Sequence, residues 1–125
     1  MEPDPELEEF ATKLFGLARA GDTAALCAYV DAGVPVNLSN DKGDTLLMLA
    51  AYHGHADTVR ALVERGADPG RANDRGQTPL AGAVFKKELD VVDVLVRAGA
   101  DPRAGTPSAI DTARMFGLDG LFDVG

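Results

Sequence analysis

Sliding the sequence over itself by 33 residues aligns Asn40–Ala72 with Asn73–Gly105, and fourteen of the 33 aligned pairs are identical. Twelve of the identities fall as N-D-x-G-x-T, one Ala, and V-x-x-LV-x-x-GADP. A weaker copy precedes them, with Leu26, Val30 and Gly33 matching Val59, Val63 and Gly66. A truncated copy follows, from Thr106 to Phe122. A period of this length marks a stack of similar units. Each unit is too small to cover its own apolar face and must lean on its neighbours.

Local signals give each unit the form helix, turn, helix, loop. Thr45 and Thr78 are N-cap residues, and Pro79 suits a first helical position. The first helices are expected over about 46–52 and 79–86. Gly54 supplies the positive φ that turns the chain. Second helices follow over about 56–64 and 89–97, with Val59, Leu62 and Val63 on one face. Gly66 and Gly99 end them, and the Asp/Pro/Gly-rich segments 67–76 and 100–105 are extended turns. Asp93 and Arg97 stand at i and i+4, the spacing of a surface ion pair. At the N-terminus Asp4 caps a longer helix that Pro5 opens and that runs to about Arg19. Its stripe is Leu7, Phe10, Ala11, Leu14, Leu17 and Ala18. This helix closes one end of the stack, and the last copy, ending at Val124, closes the other. Aromatics are only 6% of the chain and Trp is absent. The core must therefore be Ala, Leu and Val, which suits thin helices in close layers.

These residues resemble the ankyrin repeat over nearly the whole chain. The second copy matches through Gly43, Thr45, Leu47, Ala50, Ala51, Gly54, His55, Val59, Leu62, Val63, Gly66, Ala67 and Asp68. The third matches through Gly76, Thr78, Pro79, Leu80, Ala83, Val92, Leu95, Val96, Gly99, Ala100 and Asp101, and Asn37 matches the family's loop Asn. The resemblance implies an all-α solenoid of antiparallel helix pairs with hairpin-like loops. It holds about three full repeats in a single domain, 1–125: repeat 1 with the N-terminal cap at about 5–39, repeat 2 at 40–72, repeat 3 at 73–105 and a C-terminal cap at 106–125. Two departures stand out. Met48 and Ala81 replace the family's His, removing a hydrogen bond that braces neighbouring loops. Lys87 stands where Gly54 stands one copy earlier. A side chain at positive φ costs on the order of 1 kcal/mol, so an irregularity is expected near Lys86–Glu88.

The resemblance also implies where a partner protein would bind: the concave side, made of loop tips and the exposed parts of first helices. The matching tips are Asp41, Lys42 and Asp44, then Asp74, Arg75 and Gln77. The matching helix positions form a ladder of Arg19, Tyr52, Phe85 and Met115, flanked by His53 and Lys86. An Arg, two aromatics and a Met in a row are residue types enriched at binding hot spots. The competing expectation is that Tyr52 and Phe85 pack on the next repeat and only fill space.

Other residues of chemical interest take structural readings. His53, His55 and Asp57 are zinc-ligand types without a fourth partner. His55 is instead expected to open the second helix and His53 to be exposed, so no metal or other cofactor is expected. Cys27, the only cysteine, cannot form an intramolecular disulfide. It falls at an outward position of its helix, has no base nearby, and is expected to be a semi-exposed spare thiol. No Gly-rich phosphate loop or nucleophile-elbow motif is present.

The formal net charge is −8, and five of the acidic residues (Glu2, Asp4, Glu6, Glu8, Glu9) precede residue 10. With no basic stripe to offset that field, nucleic acid is not expected as a partner. The start, MEPDPELEEF, lacks the regions of a secretion signal, and the apolar run Leu46–Tyr52 is too short to cross a bilayer. The expectation is a monomeric cytoplasmic protein, a regulator or adaptor acting by occupying a partner's surface. Two alternatives differ in class. An enzyme with an unrecognised site would turn over substrate without Cys27, His53 and His55, and a self-associating structural protein would not keep a monomeric mass at high concentration.

Overall fold

The computed structural model describes residues 4–122, in which seven α-helices and one 3-10 helix follow in order: α1 (Pro5–Ala20), α2 (Thr23–Asp31), α3 (Leu46–Tyr52), α4 (Ala56–Glu64), α5 (Pro79–Phe85), α6 (Leu89–Arg97), α7 (Ala109–Met115) and the 3-10 helix Asp119–Phe122. They form two layers. One layer is α1, α3, α5 and α7, each packed on the next, and the other is α2, α4 and α6. Within each unit the first helix packs on the second, as α1 on α2, α3 on α4 and α5 on α6. Val124, where the last copy was expected to end, lies outside the described residues, as does Glu2.

The helices start where their caps dictate. Thr45 Oγ1 accepts from the Met48 amide at 3.1 Å and Thr78 Oγ1 from the Ala81 amide at 3.2 Å. Asp4 caps α1 by accepting from the Glu6 amide, and Ser108 repeats the device for α7. Each such cap stabilises by about 1 kcal/mol. The helix α5 ends at Phe85, one residue before the expected end.

The core runs along the interface of the two layers. Leu46, Leu47, Ala50 and Ala51 of α3 are fully buried, as are Leu80, Ala83 and Val84 of α5, with Val59, Leu62, Val91 and Leu95 facing them from the second helices. Burying one such Leu contributes roughly 2 kcal/mol, and the small Ala side chains let the inner helices approach closely. Thr58, also buried, satisfies its hydroxyl on that of Thr23 at 2.6 Å.

The loops repeat one hydrogen-bond pattern. Asn40 Oδ1 accepts from the amides of Lys42 and Asp44, and Asn73 Oδ1 from those of Arg75 and Gln77, all at 3.0 Å. Adjacent loops are tied by the Asp74 amide donating to the Lys42 carbonyl at 3.0 Å, and by Asn73 Nδ2 donating to Asp44 Oδ1 at 2.9 Å. These bonds brace the loops where Met48 and Ala81 have taken the family's histidine. The Asn37 side chain reaches the Asp68 amide at 2.9 Å, linking the first loop to the next.

Two turns explain their residues by close approach. The His55 ring lies over Gly21, where a Cβ would come within 2.5 Å of it, and Glu88 lies over Gly54 in the same way. Gly54 has φ +81°, and Lys87, one repeat on, holds φ +57°. The turn therefore keeps its left-handed shape without glycine, and the irregularity is confined to strain at Lys87.

Two expectations are corrected. In α1 the buried residues are Leu14, Phe15 and Ala18, whereas Leu7 and Phe10 are exposed. The cause is length: α1 has 16 residues and its neighbour α3 has seven, so its first turns overhang the stack. Phe10 instead meets Tyr29 edge-on at 5.3 Å, and Lys13 Nζ donates to the Tyr29 hydroxyl at 3.0 Å. Cys27 is not outward but buried, at 6% exposure. Burial pushes its thiol up, opposed by nearby Arg65 and reinforced by Asp31 and Glu64. Arg65 also clamps Asp31 through Nε at 2.8 Å and Nη2 at 3.3 Å.

Candidate partner-binding groove

The face built by α1, α3, α5, α7 and the loop tips carries an open groove with two hollows. The first, of about 320 Å³, is lined by Arg19, Lys42, Asp44, Met48, Leu49, Tyr52, His53, Asn73, Arg75 and Gln77. The second, of about 280 Å³, is lined by Met48, Tyr52, Gln77, Ala81, Gly82, Phe85, Pro107, Thr112 and Met115. Met48, Tyr52 and Gln77 border both, so the hollows are continuous. The first has polar walls and the second is apolar.

All four rungs of the ladder line this groove: Arg19 in the first hollow, Tyr52 in both, Phe85 and Met115 in the second. None of them belongs to the core. Phe85 is 51% exposed and Met115 64% exposed, and Tyr52 is half-buried outside the core cluster. The rings are held at the surface by edge contacts, Phe85 to Phe116 at 5.7 Å and Tyr52 to His53 at 5.7 Å. Lys86 Nζ sits 5.2 Å from the centre of the Tyr52 ring. A cation over a ring face at that distance is attracted by about 0.5–1 kcal/mol at an exposed site.

The other candidates divide. Lys42, Asp44, His53, Arg75 and Gln77 join the first hollow. Asp41 faces a different hollow, shared with Glu8, Thr12 and Arg19 beside α1. Asp74 lines neither half of the groove, and its carboxylate is folded against Gly43 of the neighbouring loop. Residues that line the groove but were not among the expected binding positions are Met48, Leu49, Asn73, Ala81, Gly82, Pro107 and Thr112. Gly82 is the most telling of these. A Cβ there would lie 3.1 Å from Met48 Cε and 3.4 Å from Tyr52 Cδ1, so its absence lets those two side chains lie across α5. A glycine inside a helix costs about 1 kcal/mol against Ala, and that unexplained cost was the available signal.

The H-x-H-x-D residues have other occupations. His55 opens α4 and its Nε2 lies 2.7 Å from the Arg19 carbonyl oxygen, while Asp57 pairs with Arg60 at 3.0 Å. His53 is exposed at the groove's edge. Partial burial, with the nearby charges of His55, Arg19 and Lys86, holds its imidazole below the usual histidine range. Among the described residues no helix is long and apolar enough to cross a membrane.

Comparison with known proteins agrees with this architecture. Residues 14–106 match the family model for ankyrin repeats in three copies. A Pseudomonas aeruginosa protein named as an ankyrin repeat protein is 58% identical over 59 residues, which make up 47% of this chain and 34% of the relative. The aligned part thus spans about a third of that relative's length. With three matched copies and a two-layer stack of paired helices, the chain belongs to the ankyrin-repeat family.

Proposed function

We propose that this chain is a protein-interaction module that binds a partner protein in the groove of the inner helices, and that it works as a small regulator or adaptor. The observation that carries this reading is the placement of Arg19, Tyr52, Phe85 and Met115 along one continuous groove with no part in the core. Large amphipathic side chains left outside a core are what an interface needs. The rings of Tyr52 and Phe85 supply contact area at low entropic cost, and the small residues between the rungs leave room for a partner's side chains. Family membership supports binding in general, since ankyrin repeats are interaction modules. The role is carried out by a monomer in the cytoplasm, where a buried free thiol such as Cys27 is at home.

The test is affinity capture from native lysate with the wild type beside a Tyr52→Ala/Phe85→Ala variant. Each truncation is expected to weaken binding by about 2 kcal/mol, so the double variant loses the partner while its helical spectrum is unchanged. A partner retained at full strength by the folded double variant refutes the groove as the binding surface.

A further inference from the structure

The two hollows of the groove differ in chemistry, and together they specify a ligand. The chain carries a net charge of −8, yet the first hollow is walled by Arg19, Lys42 and Arg75, with Lys86 standing over the shared Tyr52. Among the described residues none of these four cations is in an ion pair, whereas Arg60, Arg65, Arg97 and Arg114 each are. Among the described residues the one carboxylate lining the groove is Asp44, which accepts a hydrogen bond from the neutral Asn73 amide. The lining of the first hollow therefore carries three cations against one carboxylate, a local excess of positive charge on a molecule whose net charge is −8. His53 adds hydrogen-bonding capacity and little charge at neutral pH, because its surroundings disfavour the imidazolium.

The second hollow has the opposite character. Met48, Ala81, Phe85, Pro107 and Met115 line it together with Gly82, across which Met48 and Tyr52 lie. Its volume, about 280 Å³, lies just below the range of pockets that enclose a drug-sized molecule, and suits one bulky side chain of a larger partner.

We propose that the groove takes an acidic segment of a partner protein, with one aromatic or aliphatic side chain seated in the hollow between Phe85, Pro107 and Met115 and carboxylates facing Arg19, Lys42, Arg75 and Lys86. This deepens the concave-face reading above and rests on it. The apolar anchor supplies affinity, and the charges supply register and rate of encounter. The rest of this acidic molecule repels the same partner, so the groove is where the approach is favourable. A nucleic acid, charged at every residue, would extend beyond the groove into that repulsive field.

The test pans a displayed library of random peptides against the full chain. Enriched sequences are then synthesised and measured by fluorescence anisotropy. They are expected to combine Asp or Glu with Phe, Leu or Met. Gly82→Leu, which would push Met48 and Tyr52 into the hollow, should weaken them at least about tenfold. Arg19→Glu/Arg75→Glu should weaken them at least about tenfold at low salt and much less at high salt. Both changes in the latter variant are at exposed positions, so it remains informative if Gly82→Leu fails to fold. Enriched peptides that are basic or uncharged, yet weakened by Phe85→Ala, overturn the acidic partner while leaving the groove as the binding surface. Peptides indifferent to Phe85→Ala, Gly82→Leu and the charge reversal overturn both readings. A library with no enrichment also overturns the proposal. So does an oligo(dT) strand that binds more tightly than any enriched peptide and is lost on charge reversal.

Discussion

The second and third repeats share a skeleton and differ in the groove. Identical pairs do structural work: Asn40 and Asn73 tie the loops, Thr45 and Thr78 cap, and Leu47 with Leu80 and Leu62 with Leu95 are fully buried. Five pairs of corresponding positions line the groove in both repeats: Lys42 and Arg75, Asp44 and Gln77, Met48 and Ala81, Leu49 and Gly82, Tyr52 and Phe85. None of the five is an identical pair. The fold constrains one set of side chains and leaves the other free to take the chemistry of a ligand. Each repeat thus contributes the same scaffold and a different rung.

Substitutions at matched positions can break that comparison. The largest effect belongs to the core: Leu47→Ala and Leu80→Ala should each destabilise by about 3 kcal/mol in urea unfolding, through cavities in equivalent sites. Unequal losses would mean that the two repeats are not equivalent in the stack. Next is the turn. Gly54→Ala places a side chain at φ +81° against the Glu88 carboxylate, and should cost about 2 kcal/mol unless Glu88 swings away. Thr45→Ala and Thr78→Ala should then cost about 1 kcal/mol each, the usual loss of an N-cap, read by thermal unfolding. The smallest effect has the opposite sign. Lys87→Gly removes a side chain from φ +57° but frees the unfolded chain, and should raise stability by about 0.5 kcal/mol. A loss there would show that the Lys87 contact with the Phe116 ring, 5.3 Å away, outweighs the strain.

Most of the skeleton was legible because it rests on local chemistry. Capping threonines, the proline at the start of α5 and the glycine turns act within a few residues, and the 33-residue period reports the stacking. The positive φ at Lys87 followed from its register with Gly54. What could not be read depends on how neighbouring helices slide and rotate against each other. Met48 and Leu49 of α3 were not among the expected binding positions. Both are buried, yet their edges line the groove, and Gly82 leaves room for Met48 to lie across α5. Cys27 was assigned outward from its repeat position, but the structure buries it. Phe15 was missed because it lies off the expected stripe, on the side of α1 beside Ser39, Asn40 and Asp41. Asp41 and Asp74 sit at matched loop tips, yet one turns toward α1 and the other folds onto the neighbouring loop.

The separation of scaffold from binding surface is tested most directly by the unfolding free energy of Tyr52→Ala/Phe85→Ala, taken from urea denaturation. If those rings serve only the groove, the variant unfolds within about 1 kcal/mol of the wild type, as surface changes do. A loss of about 3 kcal/mol or more, the size expected for a core leucine, would place the rings in the scaffold and contradict the account.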